Sequence, residues 1–343
     1  MSGETVKARV IKHLHDFSGK PKNEDFELVE EEVDGKSLKN GDVMFEAVCF
    51  SVDPYLRVES VGDYKPGGTM QGTQVARVIA SKNGKYPVGT EVVINAGWRT
   101  HTIVNPDTLP QHFGGIQYLP DLLDLPKSLA LGACGMPGVT AYFGLLELCK
   151  PKEGETVVVN AAAGAVGSLV GQIAKIKGCN VIGYAGSDEK VEWLKNELGF
   201  DHAYNYKTVD LAKSLDEAAP KGVDCYFDNV GGEFSSIVRS KMNLFGRVAV
   251  CGCISMYNEE DHSKFTVPAI EPQVLFKQLK IEGFIVVRWK DKWYAAAHQM
   301  AKWITEGKIK YREHVTVGFE NIPTAFIELF DGKNTGKAII KIT

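Results

Sequence analysis

Residues 157–167, Val157-Val158-Val159-Asn160-Ala161-Ala162-Ala163-Gly164-Ala165-Val166-Gly167, run from an apolar strand through a small-residue turn into a helix. Such a turn suits one kind of chemistry. With no side chains in the way at Gly164 and Gly167, backbone N–H groups at the helix N-terminus can meet a pyrophosphate. Alanines stand where the usual three-glycine fingerprint begins, and Ala165 and Val166 complete the turn. The expected ligand is a nicotinamide or flavin dinucleotide.

The end of the next expected strand, Tyr184-Ala185-Gly186-Ser187, narrows the choice. An NAD site of this type carries Asp or Glu there to accept hydrogen bonds from the ribose hydroxyls. Here that carboxylate is missing, so nothing repels a 2′-phosphate, and Lys190 follows on the next helix turn to pair with one. NADPH is therefore expected over NADH.

A metal site is not expected. Catalytic zinc needs about three converging Cys, His or acidic ligands, and structural zinc about four closely spaced thiols. No Gly-His-Glu occurs, the N-terminal part holds Cys49 as its one thiol, and His101 and His112 stand isolated in loop-like sequence. Cys251-x-Cys253 reads as thiols packed near a cofactor loop. Without a Lewis acid, an isolated carbonyl is a difficult acceptor. An α,β-unsaturated carbonyl takes hydride at its β-carbon and places the charge on an enolate oxygen, where one hydrogen-bond donor can suffice. Tyr257, in Cys251-Gly252-Cys253-Ile254-Ser255-Met256-Tyr257-Asn258, is the candidate donor, because this loop follows the fifth strand at the carboxyl edge of the sheet.

The elements that must position these residues alternate. Apolar runs at 157–159, 180–185, 223–228 and 247–252 are separated by amphipathic helices, including a polar one from Asp188 to Leu198. That pattern specifies a doubly wound parallel sheet. Lys280 to Val287 supplies a sixth strand, and a helix through Trp293, Ala297, Met300 and Trp303 follows it. Residues 1 to about 125 instead show short extended runs broken by Gly, Pro and Asp, an irregular β domain. The tail from Tyr311 to Ile342 is expected to return to it. The expected division is residues 1–125 with 310–343, and 126–309 for the dinucleotide domain.

At 343 residues and 44% hydrophobic content the chain is long enough for about two domains. A net charge of −4 without a basic run leaves no footprint for nucleic acid or an anionic membrane. The uncharged segment Thr156 to Ala174 approaches membrane-spanning length and contains Gly167-x-x-x-Gly171, yet Asn160, Ser168 and Gln172 and its fit to strand plus buried helix favour a soluble reading. Seven cysteines without a framework point to a reducing compartment, and the first residues lack the apolar core of a signal peptide, so a cytoplasmic address is expected. No repeat or low-complexity tract occurs.

Four runs carry a resemblance: Ser51-Val52-Asp53-Pro54-Tyr55-Leu56-Arg57, residues 135–147 (GMPGVTAYFGLLE), residues 159–168 (VNAAAGAVGS) and residues 225–234 (CYFDNVGGEF). Over nearly its full length the chain resembles the zinc-free medium-chain dehydrogenase/reductase family of NADPH-dependent alkenal and enone oxidoreductases. The resemblance implies a Rossmann domain beside an irregular GroES-like β-barrel domain, and a homodimer. It implies NADPH contacts from Gly164, Ala165, Val166, Gly167, Lys190, Tyr206, Asn229, Cys251, Gly252, Cys253, Ile254, Ser255, Met256 and Tyr257. It adds Phe284, Ile285, Val286, Val287, Arg288, Trp289, Lys290 and Asn334, with Phe284 to Lys290 also near a subunit contact. Tyr257 takes the family's enolate-stabilising position. The implied activity is reduction of the double bond of enones and enals such as 15-oxo-prostaglandins and 4-hydroxy-2-alkenals, with NADP-dependent oxidation of the leukotriene B4 12-hydroxyl as a further activity. Quinone reduction and a non-catalytic NADPH-binding structural role are the alternatives. The chain departs from the family by an extra residue around Glu197 and by a stretch Asn258 to Pro268 that is not proline-rich, and variation is also expected in Gln111 to Tyr118.

Overall fold

In the computed structural model, which describes residues 4–59, 66–109 and 115–342, the chain divides into two units, residues 1–132 with 313–343 and residues 133–312. His112 lies outside the described residues.

The second unit is built on a six-stranded sheet. Its strands are β1 (Thr156–Val159), β2 (Asn180–Ala185), β3 (His202–Asn205), β4 (Val223–Asp228), β5 (Met242–Val250) and β6 (Lys280–Gly283). They are all parallel in the order β3-β2-β1-β4-β5-β6, so the order reverses between β1 and β4. Helices α1 (Gly167–Ile176), α2 (Asp188–Glu192), α3 (Gly232–Ser240) and α4 (Glu271–Lys277) lie among the crossovers. Thr156–Val159 is buried at every position, as a central parallel strand covered on both faces must be, which is why it reads as an unbroken apolar run.

Two glycines let α1 approach the sheet. A Cβ on Gly171 would lie 1.9 Å from Cζ of Phe200, and one on Gly183 of β2 would lie 2.7 Å from Cδ1 of the same ring. The buried Phe200 ring thus fills space that only two missing side chains provide.

Three local readings of the sequence need correction. The expected helix from Asp188 to Leu198 is α-helical only to Glu192 and continues as a π turn over Trp193–Glu197. That is the place of the extra residue around Glu197, and a wider turn takes up an added residue without shifting the strand after it. The strand expected from Lys280 to Val287 ends at Gly283, and Val286–Lys292 coils into a 3-10 helix whose Val286 is buried with Val139 and Phe143. His101, read as a loop residue, begins the strand His101–Val104, where its ring faces Glu46 at 3.7 Å.

The first unit is mostly antiparallel. Thr5–His13 pairs with Phe26–Asp34. A seven-stranded sheet follows the order Glu313–Val317, Lys337–Lys341, Val43–Ser51, Thr73–Ser81, Glu91–Asn95 and Ile116–Tyr118, with His101–Val104 also on Val43–Ser51. The chain's last two strands join this sheet, and their own pairing is parallel. Phe50, Trp98, Phe319 and Phe326 form its core. Inside it Lys337 meets Asp53 at 3.2 Å, with side chains 5% and 7% exposed. Lys337 also donates to the carbonyls of Val52 and Ala338, each at 2.8 Å, and Ser51 donates to Asp53.

Gly171→Ala is expected to destabilise the protein by about 1–3 kcal/mol through overpacking against Phe200. Lys337→Ala, which strands the Asp53 carboxylate, is expected to cost about 3–5 kcal/mol. Urea unfolding of each variant reads both values. A loss of less than about 1 kcal/mol for Lys337→Ala would show that the pair is dispensable.

Candidate functional site

The site is built at the carboxyl ends of β1 and β4, where the strand order reverses and a crevice opens in this class of sheet. At the end of β1 the chain turns through Ala161, at φ +45°, and the Ala161 carbonyl accepts the Gly164 N–H at 2.9 Å. A Cβ on Gly167 would fall 2.4 Å from the Ala161 carbonyl oxygen and 2.9 Å from Ala162 Cα. Only glycine permits this approach, and it brings the start of α1 onto the strand end. Gly164, Ala165 and Val166 are half-buried, so backbone rather than side chain faces a ligand there. Free amides and the positive end of a helix dipole select an anion.

A second cluster gathers at the end of β2. Ser187 caps α2, its hydroxyl accepting the Lys190 N–H at 3.4 Å. An added Cβ on Gly186 would sit 3.3 Å from Cε1 of Tyr206, 3.5 Å from the Tyr206 hydroxyl and 3.5 Å from Cε of Lys207. The Tyr206 ring is 48% exposed, with the Lys207 ammonium 6.0 Å from its centroid. Burial, and then the neighbouring positive charge of Lys207, lower the Lys190 ammonium below its ordinary range. Two cations that repel each other in a place without a strand-end carboxylate are relieved by a doubly charged anion. Lys207 was not among the expected site residues; its signal was its place directly after Tyr206.

The third cluster holds the loop after β5. Asp228, at the end of β4 and 1% exposed, accepts from Asn160 Nδ2 at 3.0 Å, Tyr226 Oη at 3.0 Å, Val230 N at 3.1 Å and Gly231 N at 2.9 Å through one oxygen. Its other oxygen accepts from Ser235 Oγ at 2.5 Å. Asn229 donates two bonds to Asn160, its N–H to Asn160 Oδ1 at 2.7 Å and its Nδ2 to the Asn160 carbonyl at 3.0 Å. Burial and the Asp228 charge push the Tyr226 hydroxyl well above its ordinary range, so it stays a donor. Neither Asn160 nor Asp228 was picked out from sequence.

The Asp228 carbonyl accepts from Cys251 N at 2.8 Å and Gly252 N at 3.1 Å, Asn229 O from Ile254 N at 3.2 Å, and Val230 O from Ser255 N at 3.2 Å. Ser255 Oγ donates to Val230 O at 2.6 Å. Ile254–Met256 forms a 3-10 turn that ends at Tyr257. The Tyr257 hydroxyl oxygen accepts the Cys253 N–H at 3.4 Å, which leaves its own hydrogen to donate elsewhere. Burial raises the Tyr257 hydroxyl above the ordinary tyrosine range, and the adjacent Cys253 and Cys251 add to the rise. Burial pushes Cys251 up to about 12 and raises Cys253 as well, so both are thiols rather than thiolates at neutral pH.

Phe284 joins this edge by donating its N–H to the Val250 carbonyl at 3.3 Å, and its ring meets Phe227 edge-on at 6.1 Å. Trp289 stacks on Phe143 at 5.1 Å and Val286 is buried, while Ile285, Arg288 and Lys290 are exposed and Val287 half-buried. The structure therefore brings Gly164 to Gly167, Asn229, Cys251 to Tyr257 and Phe284 to one edge of the sheet, and Lys190 with Tyr206 to the end of β2. Asn334 lies in the other unit, in the turn before the last strand, where its Nδ2 donates to the Gly336 carbonyl at 2.9 Å. Among the described residues no group of three His, Cys, Asp or Glu is placed to hold a metal ion.

Comparison with known proteins gives the family. A family model for zinc-binding dehydrogenases matches residues 165–303, and one for the N-terminal domain of oxidoreductases matches residues 9–111. The chain is 54% identical to prostaglandin reductase 1 of Bos taurus, covering 95% of this chain and 96% of that protein. It is 39% identical to an NADP(+)-dependent 2-alkenal reductase of Nicotiana tabacum, covering 95% of each. Among solved structures, CurA from Vibrio vulnificus in complex with NADPH superposes with a TM-score of 0.87 at 38% identity, covering 98% of this chain and 99% of that one. With family models on both parts of the chain and a relative this similar along its whole length, the chain belongs to the prostaglandin reductase 1 family of medium-chain dehydrogenase/reductases.

Proposed function

We propose that this protein is an NADPH-dependent reductase of the α,β carbon–carbon double bond of enones and enals, 15-oxo-prostaglandins and 4-hydroxy-2-alkenals being the substrate classes. The observation that carries the reading is Tyr257: a hydroxyl at the carboxyl edge of the sheet, kept protonated by burial, with its hydrogen available. The names of the prostaglandin and alkenal reductases it resembles support the same chemistry.

NADPH fits the residues present. The turn that a Cβ at Gly167 would fill takes the pyrophosphate, and Lys190, Lys207 and Tyr206 around Gly186 take the 2′-phosphate. Residues 133–312 are thus the NADPH-binding unit. When bound, NADPH supplies the hydride that adds to the β-carbon. Tyr257 donates a hydrogen bond to the acceptor's carbonyl oxygen, where negative charge grows as the enolate forms. Asn229 and the segments Cys251 to Tyr257 and Phe284 to Lys290 shape the edge that receives the nicotinamide. Solvent then protonates the α-carbon.

A homodimer and a cytoplasmic location complete the reading. β6 is the open edge of the sheet, and Leu275, Phe276 and Ile285 beside it are 69%, 77% and 60% exposed, an apolar margin suited to a second copy. All seven cysteines are free, which suits a reducing compartment, and among the described residues no helix is long and apolar enough to cross a membrane.

Incubation with NADPH and trans-2-octenal, with and without a chelator, is expected to yield octanal in both cases; an allylic alcohol would overturn double-bond reduction. Tyr257→Phe is expected to lower kcat by about 10²–10³-fold, and undiminished turnover would remove its role. Because the Tyr257 hydroxyl must be protonated and is raised above the ordinary tyrosine value of about 10, kcat should hold across neutral pH and fall only on the far alkaline side. An alkaline limb near pH 7–8 in the kcat profile would assign the donor to another group. Lys190→Ala is expected to raise KM for NADPH about ten- to a hundredfold while leaving that for NADH unchanged; equal changes with both cofactors would show that Lys190 does not read the 2′-phosphate.

A further inference from the structure

Asp228 is the one buried carboxylate at the carboxyl edge of the six-stranded sheet among the described residues, and no salt bridge holds it. Two backbone amides, two side-chain hydroxyls and one side-chain amide satisfy it instead. A carboxylate kept in this way is a strong organiser, because each donor must point at it or leave a charge uncompensated. Turning the Val230 and Gly231 N–H groups inward bends the chain through Gly231 and Gly232, at φ +76° and +65°, which side-chain-bearing residues rarely adopt.

The consequence lies on the opposite side of the same peptides. With those N–H groups turned inward, the carbonyls of Asn229 and Val230 face the loop after β5, beside the Asp228 carbonyl, whose peptide N–H on Asn229 is held by Asn160 Oδ1. Together the three carbonyls accept four backbone N–H groups and one hydroxyl from Cys251, Gly252, Ile254 and Ser255. A Cβ on Gly252 would come within 3.1 Å of the Tyr257 hydroxyl and 3.3 Å of the Asn229 carbonyl oxygen, so the three groups are packed without slack. The long-range hydrogen bonds of Ile254 and Ser255 thus end on peptides whose N–H groups the Asp228 carboxylate holds, and those of Cys251 and Gly252 end on the strand-end carbonyl of Asp228 itself.

We infer that Asp228 is a positioning residue for enone reduction: through the Asn229 and Val230 carbonyls it sets the place of Tyr257. The inference rests on the assignment of Tyr257 as the enolate donor. It adds a buried residue whose effect travels through the three hydrogen bonds that Ile254 and Ser255 donate to those carbonyls.

The experiment is a set of kinetic cycles on the full chain with trans-2-octenal and NADPH, using Asp228→Asn and Asp228→Ala, each alone and combined with Tyr257→Phe. In Asp228→Asn the amide oxygen keeps the four donors now on one carboxylate oxygen, and Ser235 turns its hydroxyl to accept from the new Nδ2. Asp228→Ala is expected to lower kcat about 10²-fold, the cost of an ångström-scale misplacement. Asp228→Asn should recover about tenfold of that loss, with KM for NADPH and octenal changed less than about threefold. In the Tyr257→Phe background the loss from either change should shrink to about twofold or less, since the residue being positioned is gone. Losses of equal size in both backgrounds, or full kcat in Asp228→Ala, would overturn the inference. Should Asp228→Ala fail to fold by thermal denaturation, Asp228→Asn alone decides by the same comparison. A Tyr257→Phe variant with full activity would instead overturn the donor assignment, a distinct outcome from failure at Asp228.

Discussion

Where the strand order of a parallel sheet reverses, the chains leaving two neighbouring strands open a crevice, and in this protein the polar groups at its rim are tied to each other. Asn160 follows β1 and Asp228 ends β4, and the bonds among Asn160, Asn229, Tyr226 and Asp228 span the reversal of strand order. Their burial makes the tie strong in one direction: any donor or acceptor that turned away would lose a partner where water cannot replace it. The turn into α1 hangs from one side of this bridge and the loop carrying Tyr257 from the other. The spacing between the turn into α1 and the loop carrying Tyr257 is therefore set by the side chains of Asn160, Tyr226, Asp228 and Asn229.

The electrostatics of the unit divide along the same edge. Near Gly186 burial and the charge of Lys207 disfavour the Lys190 ammonium, against the smaller opposing pull of Glu189, and an incoming dianion would relieve this. Around Tyr257 there is no such excess. Burial keeps the thiols of Cys251 and Cys253 and the Tyr257 phenol neutral, so Tyr257 presents an O–H dipole rather than a charge. A neutral donor suits an acceptor that arrives neutral and becomes anionic only as hydride is added, because it binds the developing charge more tightly than the ground state.

How much of this is legible in the chain depends on the range of each interaction. The glycines at 164 and 167 and the missing acid at 184–187 are local facts, and they point to the cradle and the 2′-phosphate without tertiary information. Strand alternation likewise shows the six-stranded sheet. Asp228 is different: within a run reading CYFDNVGG it looks like a turn residue, and its function as an acceptor for Asn160 depends on a partner 68 positions away. The π turn at Trp193–Glu197 and the early end of β6 at Gly283 have the same origin, since packing of Val286 and accommodation of an added residue override periodicity. His101 reads as isolated because its strand partner, Glu46, is far away in sequence.

A last contrast runs along the loop itself. From Cys251 to Ser255 the loop is fixed by hydrogen bonds to Asp228, Asn229 and Val230, all more than twenty positions away in the chain. Beyond it, Glu259 and Asp261 bond to near neighbours: Glu259 accepts from Asp261 N and Lys264 Nζ, and Asp261 from Ser263 N and Oγ. A segment held by its own neighbours can change sequence without disturbing the sheet, whereas one held by a buried network cannot. The chain's departure from its family in Asn258 to Pro268 falls on the locally held side of this divide. The long-range bonds that secure the loop before Tyr257 thus stop short of this segment, so its sequence can change without disturbing the place of Tyr257.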